Sequence, residues 1–231
     1  MSTSSKQHGK IILLLVCFSI LQVGCIKQGL VSMVARGEHS EFIKYIQNDP
    51  EALSNVSLEK CSLKNLQLND VVVSNLSLTD VDFSNSDLTK VTFTDCEFSN
   101  VDFSKGRFHD VRFVNSTLKP VGSTRQDIEE TSFNGALFDR VGFKGCELFD
   151  VTMHELKKGS SLALVDSTLM PVIQGNSSVF KNSHLDRLLV DGCVSKGKLL
   201  LSLKILGNGV IVFKNNSSYF FLSVPSPRTF I

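Results

Sequence analysis

From Leu53 to Met153 an apolar side chain returns at almost every fifth residue. The series runs Leu53, Leu58, Leu63, Leu68, Val73, Leu78, Phe83, Leu88, Phe93, Phe98, Phe103, Phe108, Phe113, Leu118, Ser123, Ile128, Phe133, Phe138, Phe143, Leu148, Met153. Ser123 breaks it outright, and Val73 and Met153 are milder departures from Leu or Phe. A helix needs apolar residues near every 3.6 positions and a strand every second, so a period of five suits neither alone. The inside of one unit resolves this. Val81 and Phe83 flank the charged Asp82, the pattern of a three-residue strand with two side chains in and one out. Ser84 and Asn85 follow, and such residues favour turns because their side chains bond nearby backbone. A short strand plus a corner, repeated, winds the chain into a coil whose turns pair as parallel strands about 4.8 Å apart.

Val81-Asp82-Phe83-Ser84-Asn85, Ser86-Asp87-Leu88-Thr89-Lys90 and Val101-Asp102-Phe103-Ser104-Lys105 resemble pentapeptide repeats. The usual pattern in that family is Ala, then Asp or Asn, then Leu or Phe, then two variable residues. The resemblance implies an all-β solenoid, a right-handed quadrilateral parallel β-helix with four repeats per turn. The first position is Val in many units here (Val71, Val81, Val91, Val101, Val111, Val121, Val141, Val151). It alternates with the smaller Ser86, Cys96, Gly106, Ser116, Ala136 and Cys146. Bulky and small inner residues on adjacent faces are expected to share the crowded axis. Four repeats per turn stack residues twenty apart. The expected columns are Val73, Phe93, Phe113, Phe133, Met153 and Leu78, Phe98, Leu118, Phe138. Each buried Phe or Leu contributes roughly 2 kcal/mol.

The domain reading follows the pattern: a signal over 1–24, a short N-terminal helical cap over 26–50, the repeat coil over 51–158, and an irregular continuation with a C-terminal cap over 159–231. Lys6 and Lys10 precede an apolar run from Ile11 to Leu21, too short to span a bilayer, which needs about 20 apolar residues. Leu21-Gln22-Val23-Gly24-Cys25 resembles the lipobox of bacterial lipoproteins. That resemblance implies cleavage before Cys25, acylation of the cysteine, and, with Ile26 next, the outer rather than the inner membrane. Gln22 stands where the family usually has Leu. An ordinary signal peptide and an uncleaved anchor are the alternatives. Leu30, Val31, Val34 and Ala35 suggest one helical face. Ser40 suggests the cap of a second helix carrying Phe42, Ile43 and Ile46 and ending at Asn48-Asp49-Pro50.

The repeat falters between Pro120 and Glu130, where Arg125, Asp127, Glu129 and Glu130 cluster. Loops carry contacts more often than scaffolds do, so these four are the candidate partner-contact residues. Val165 to Val172 echoes Val114 to Val121, which predicts further coils with irregular corners. Val210–Phe213 and 219–224 read as strands around Asn215-Asn216.

Little here points to chemistry. Cys61, Cys96 and Cys146 occupy the inward small position at separations of 35, 50 and 85, none a multiple of twenty. They are expected not to stack and to act as small buried hydrophobes. No paired Cys or His spacing suits a metal, and no cofactor is expected. His109-Asp110 and His154-Glu155 are neighbours on strands, expected to point to opposite faces and so to make poor catalytic pairs. Net charge is +1, divided as +2 over 1–50, −5 over 51–158 and +4 over 159–231. The acidic stretch reads as a solvated outer face, since Asp82, Asp87, Glu97 and Asp102 sit at outward positions.

The resulting expectation is a non-enzymatic rod at the bacterial cell envelope, held to a membrane by lipid on Cys25, meeting an unidentified protein partner and no nucleic acid. Two alternatives come from other classes. Some pentapeptide repeat proteins are DNA mimics that inhibit type II topoisomerases, and some parallel β-helices cleave carbohydrates.

Overall fold

A computed structural model describes residues 29–33, 39–120, 131–149, 151–157, 160–170, 180–195, 199–204, 210–214 and 220–223. Cys25 and the whole of 1–24 lie outside them, as do Arg125, Asp127, Glu129 and Glu130.

The fivefold apolar pattern becomes a four-sided parallel coil. On one face the strands Ser57–Glu59, Ser77–Asp82, Glu97–Asp102 and Thr117–Lys119 pair in parallel, and Glu147–Phe149, Thr168–Met170 and Val194–Ser195 extend the stack to seven. A second sheet wraps the adjacent faces, beginning with Gln67–Ser74 against Asp87–Thr94. The face of Phe83 and Phe103 is the least regular. There Asp82 and Asp102 turn back to accept the N–H groups of Ser84 and Ser104 at 2.9 and 2.8 Å. These two carboxylates therefore hold corners as well as facing water.

Every corner from Asn55 to Asn115 places one residue, at each fifth position, at a positive φ between 49° and 62°. That left-handed conformation is cheap for Gly, Asn and Asp and costly for other side chains. Asn55, Asn65, Asn75, Asn85, Asn100 and Asn115 meet the requirement directly. The corner N–H donates to the next coil, as from Asn75 to the Thr94 carbonyl at 3.0 Å, so corners continue the ladder.

The corner position after Asn115 is Pro120, whose ring holds φ near −65° and forbids a left-handed corner. Across the segment that follows, the stacking interval rises from twenty to thirty residues: Phe93 pairs with Phe113, but Phe113 pairs with Phe143. The expected columns are therefore corrected beyond Leu118. The first continues Phe113, Phe143, Leu164, Val190 rather than Phe133 and Met153, and the second continues Leu118, Leu148, Leu169 rather than Phe138. Phe133 stacks instead on Phe103 and Phe138 on Phe108. Thirty is a multiple of five, which is why the fivefold frame survives while the face assignment moves by two. A proline recurs at 171, in the corner column of Pro120, and there the interval rises from 21 (Phe143 to Leu164) to 26 (Leu164 to Val190).

The core is a shaft of rings. Phe93, Phe113 and Phe143 stack with centroids 5.2 and 4.7 Å apart, and Phe83, Phe103 and Phe133 at 5.1 and 4.8 Å. The two stacks meet edge to face, Phe113 against Phe133 at 5.9 Å. Inner positions alternate as expected: the Val71–Val91–Val111–Val141 and Val81–Val101 columns lie on faces separated by the small-residue columns. Gly106 shows how tight that axis is. A Cβ there would lie 2.6 Å from the Phe108 ring.

At the N-terminal end the helix His39–Asn48 lays Phe42 and Ile46, both fully buried, on the first coil, and the 3₁₀ turn Pro50–Leu53 joins it to the coil. Ser40 lies inside this helix rather than before it. Residues 29–33 are also helical, with Leu30 buried and Val31 45% exposed, so the inward face carries Leu30 and Met33 rather than Leu30 and Val31. Together these helices cover the open apolar end that a solenoid otherwise presents. At the other end Val210–Lys214 pairs with Phe180–Asp191, and Phe220–Ser223 pairs with Leu199–Lys204.

Candidate functional site

The cysteine column departs from the expected arithmetic. The segment after Pro120 puts Cys96 and Cys146, 50 residues apart, on one face with Ser116 between them. Cys96 N–H donates to Ser116 Oγ at 3.1 Å, and Cys146 N–H donates to Ser167 Oγ at 3.1 Å. Cys96, Ser116, Cys146, Ser167 and Cys193 thus alternate down one column. Cys61, Cys96, Cys146 and Cys193 are all free and buried. Burial pushes the Cys61 and Cys146 thiols up to about 11. These are inert small core residues, not nucleophiles.

The outer surface carries the more informative groupings. His109 and Asp139 are cross-strand neighbours, with Nδ1 2.6 Å from Oδ2. At the adjoining corner Arg140 grips Asp110 with Nε and Nη2, at 2.5 and 2.9 Å, and reaches Asp139 at 3.1 Å. Asp110 sits at a left-handed corner, not on the strand, so His109 and Asp110 do approach each other, to 3.4 Å. The expectation that they face apart is corrected. The Arg140 hydrogen bonds, above all, hold the Asp110 carboxyl below its ordinary range. All four side chains are substantially exposed, and each carboxylate already has a cation beside it. The cluster is a surface ion network with no unpaired base.

Beside it the sheet face changes shape. The outward residues of Arg112–Val114, Val141–Lys144, Ser160–Val165 and Phe180–Asp191 include Gly142, Ala163 and Leu189 in one row. Two successive small residues leave a trough of about 700 Å³ between the side chains on either side. Val114 and Val165 make one wall apolar, and Ser161 lies in the other. Arg112, Arg140, Lys144 and Arg187 stand on its rim, and no carboxylate lines it. Among the described residues no group of three or more His, Cys, Asp and Glu is placed to hold a metal ion. The chemistry available here is recognition of an apolar, anionic surface.

Sequence reasoning missed this trough. Arg112, Gly142, Ala163 and Leu189 are separated by 30, 21 and 26 residues, and only those irregular intervals align them. Of the four residues singled out in the sequence, none is among the described residues. Their flanks are: the Thr131 hydroxyl lies 3.2 Å from the Lys119 carbonyl oxygen, so the chain leaves and re-enters the coil at one place.

A square parallel coil with one strand and one left-handed corner per five residues defines a β-solenoid of pentapeptide units. The family model for the pentapeptide repeat region matches residues 52–133 and, overlapping, 76–153. Over those residues the chain is a pentapeptide repeat protein. No curated protein matches the chain. Among solved structures, full-length QnrB1, a plasmid-mediated fluoroquinolone resistance protein, shares 13% identity at a TM-score of 0.27, over 68% of this chain and 94% of that one. HetL, a pentapeptide repeat protein involved in heterocyst differentiation regulation from the cyanobacterium Nostoc sp. strain PCC 7120, shares 12% identity at a TM-score of 0.27, over 72% and 87%. No functional conclusion attaches to likenesses of this size.

Proposed function

We propose that the protein is a non-enzymatic binding module of the bacterial cell envelope: a rod held to a membrane by lipid on Cys25 that offers one sheet face to a protein partner. The basic-rimmed apolar trough carries the binding half of this reading. It is a large, preformed, open surface on a rigid ladder, and exposed apolar area of that kind on a soluble face marks an interaction site. The address rests on Lys6, Lys10, the apolar run to Leu21, and Cys25. Among the described residues no helix is long and apolar enough to cross a membrane. A duplex mimic would line its outer face with acids, and the trough is lined with cations instead.

The test is membrane fractionation with mass analysis of the mature N-terminus, for wild type and Cys25→Ala. A diacylated Cys25 whose substitution releases the protein from membranes supports the address. An intact Met1 on a protein in the soluble fraction removes the envelope reading and returns supercoiling inhibition to first place among the alternatives.

A further inference from the structure

The outward column that contains the trough begins in an ordinary way. Val72 and Thr92 stand out from the sheet, Val72 at 58% exposed. From Arg112 onward the column turns to Gly142, Ala163 and Leu189. Three steps of about 4.8 Å make the trough about 14 Å long, parallel to the stacking axis. Its floor is not an accident of strained backbone. A Cβ at Gly142 would meet nothing within 4 Å, and its φ lies outside the left-handed region, so glycine is not needed there for folding. Smallness at this position has no role inside the molecule.

The cations are distributed in a way that identifies the occupant. Arg112 stands at one end, Arg140 and Arg187 on one wall, and Lys144 on the other. Arg140 is engaged by Asp110 and Asp139. Arg112, Lys144 and Arg187 make no ion pair with another described residue, although the repeat region as a whole carries net −5. A single anionic headgroup would need its cations gathered at one end. An acyl chain lying in so open a trough would leave half its surface in water. A polypeptide with apolar side chains on one side and carboxylates spread along it matches both the floor and the rim. Strand addition is not available as a binding mode here, because Val141–Lys144 and Ser160–Val165 are paired on both edges.

We propose that this trough binds an acidic amphipathic polypeptide segment, seating apolar side chains on Gly142 and Ala163 and carboxylates against Arg112, Lys144 and Arg187. The proposal rests on the protein-binding reading above and names the chemistry of its partner.

The chain contains no Trp, so a Trp in a probe peptide reports binding without background. The test titrates the full chain, with phosphatidylcholine vesicles present, into two twelve-residue probes: one alternating Glu with Leu and a single Trp, the other with Lys in place of Glu. The expected result is a blue shift of Trp emission for the acidic probe only, weakening as salt rises. Gly142→Phe, which fills the floor, and the double change Arg112→Glu with Arg187→Glu should each weaken binding tenfold or more. Far-ultraviolet circular dichroism confirms that each variant keeps its strands. No shift with the acidic probe, equal binding of the Lys probe, or unchanged affinity in both variants overturns the proposal. Flotation with phosphatidylglycerol vesicles that Gly142→Phe abolishes, without peptide binding, also overturns it, in favour of a lipid. Peptide binding should be the same in Cys25→Ala, so failure of the membrane address leaves this result standing, and the reverse also holds.

Discussion

Lys60, Lys90, Lys105 and Arg140 hold left-handed corners at φ of 50°, 54°, 58° and 59°, where Asn, Asp or Gly stands at most other corners. An ordinary side chain in that region costs roughly 1–2 kcal/mol, less for Asn. Lys60→Asn should therefore stabilise the coil by roughly 0.5–1 kcal/mol, read as a higher urea midpoint with an unchanged slope. Arg140 shows that a corner can be held by something other than conformational ease. Its bidentate grip on Asp110 lowers the carboxyl pKa, so this contribution is fully present above the ordinary carboxylate value near pH 4 and is lost as pH falls through the lower folded value. Arg140→Gln should lower the thermal midpoint at pH 7 in low salt. The deficit against wild type should vanish at pH 2 and shrink in high salt. A deficit that persists at pH 2 would assign the effect to packing of the arginine stem instead.

The coil interrupts itself at proline. Corner residues must reach a positive φ, Pro120 cannot, and the stacking interval lengthens by ten residues immediately after it. The change also decides which charges meet. A uniform interval of twenty would set Asp110 against Glu130 and His109 against Glu129; the interval of thirty sets them against Arg140 and Asp139. Lys119 and Thr131 already touch, so removing 121–130 while changing Pro120→Asn should leave a continuous coil. The expected outcome is an unchanged far-ultraviolet spectrum and a thermal midpoint equal to or above that of wild type, since a shorter loop costs slightly less entropy to close. The same deletion with Pro120 retained should be less stable, because the corner still cannot form. Equal midpoints for the two deletions would show that proline is not what diverts the chain.

As a whole the molecule is a stack with two ends. Seven paired strands on one face give six steps of about 4.8 Å, or about 29 Å of ladder. Each coil contacts only its neighbours, so the ends are the places where the fold is exposed to association. Phe42 and Ile46 on the helix His39–Asn48 cover the first coil. Phe42→Glu should loosen that cover, leave the strand content largely intact, and promote end-to-end association, seen as dimers or larger species in sedimentation velocity. A variant that stays at the wild-type sedimentation coefficient would mean that the first coil does not need its helix to remain single.

Much of this was legible in one dimension. The apolar residue at every fifth position, the Val and small-residue alternation beside it, and the Asn and Asp corners are local requirements of a strand and a turn, and each is met within five residues of chain. The helix over Phe42 and Ile46 was legible for the same reason. What the sequence could not determine was which coil lies against which. Register depends on how much chain leaves the stack after Pro120 and 171, and a multiple of five hides that departure from any fivefold count. The Cys96–Ser116–Cys146 column, the Asp110–Arg140 pair and the Gly142–Ala163 trough all depend on those intervals, because each joins residues from different coils. Tertiary structure decided them, since cross-strand pairing measures distance in space and not along the chain.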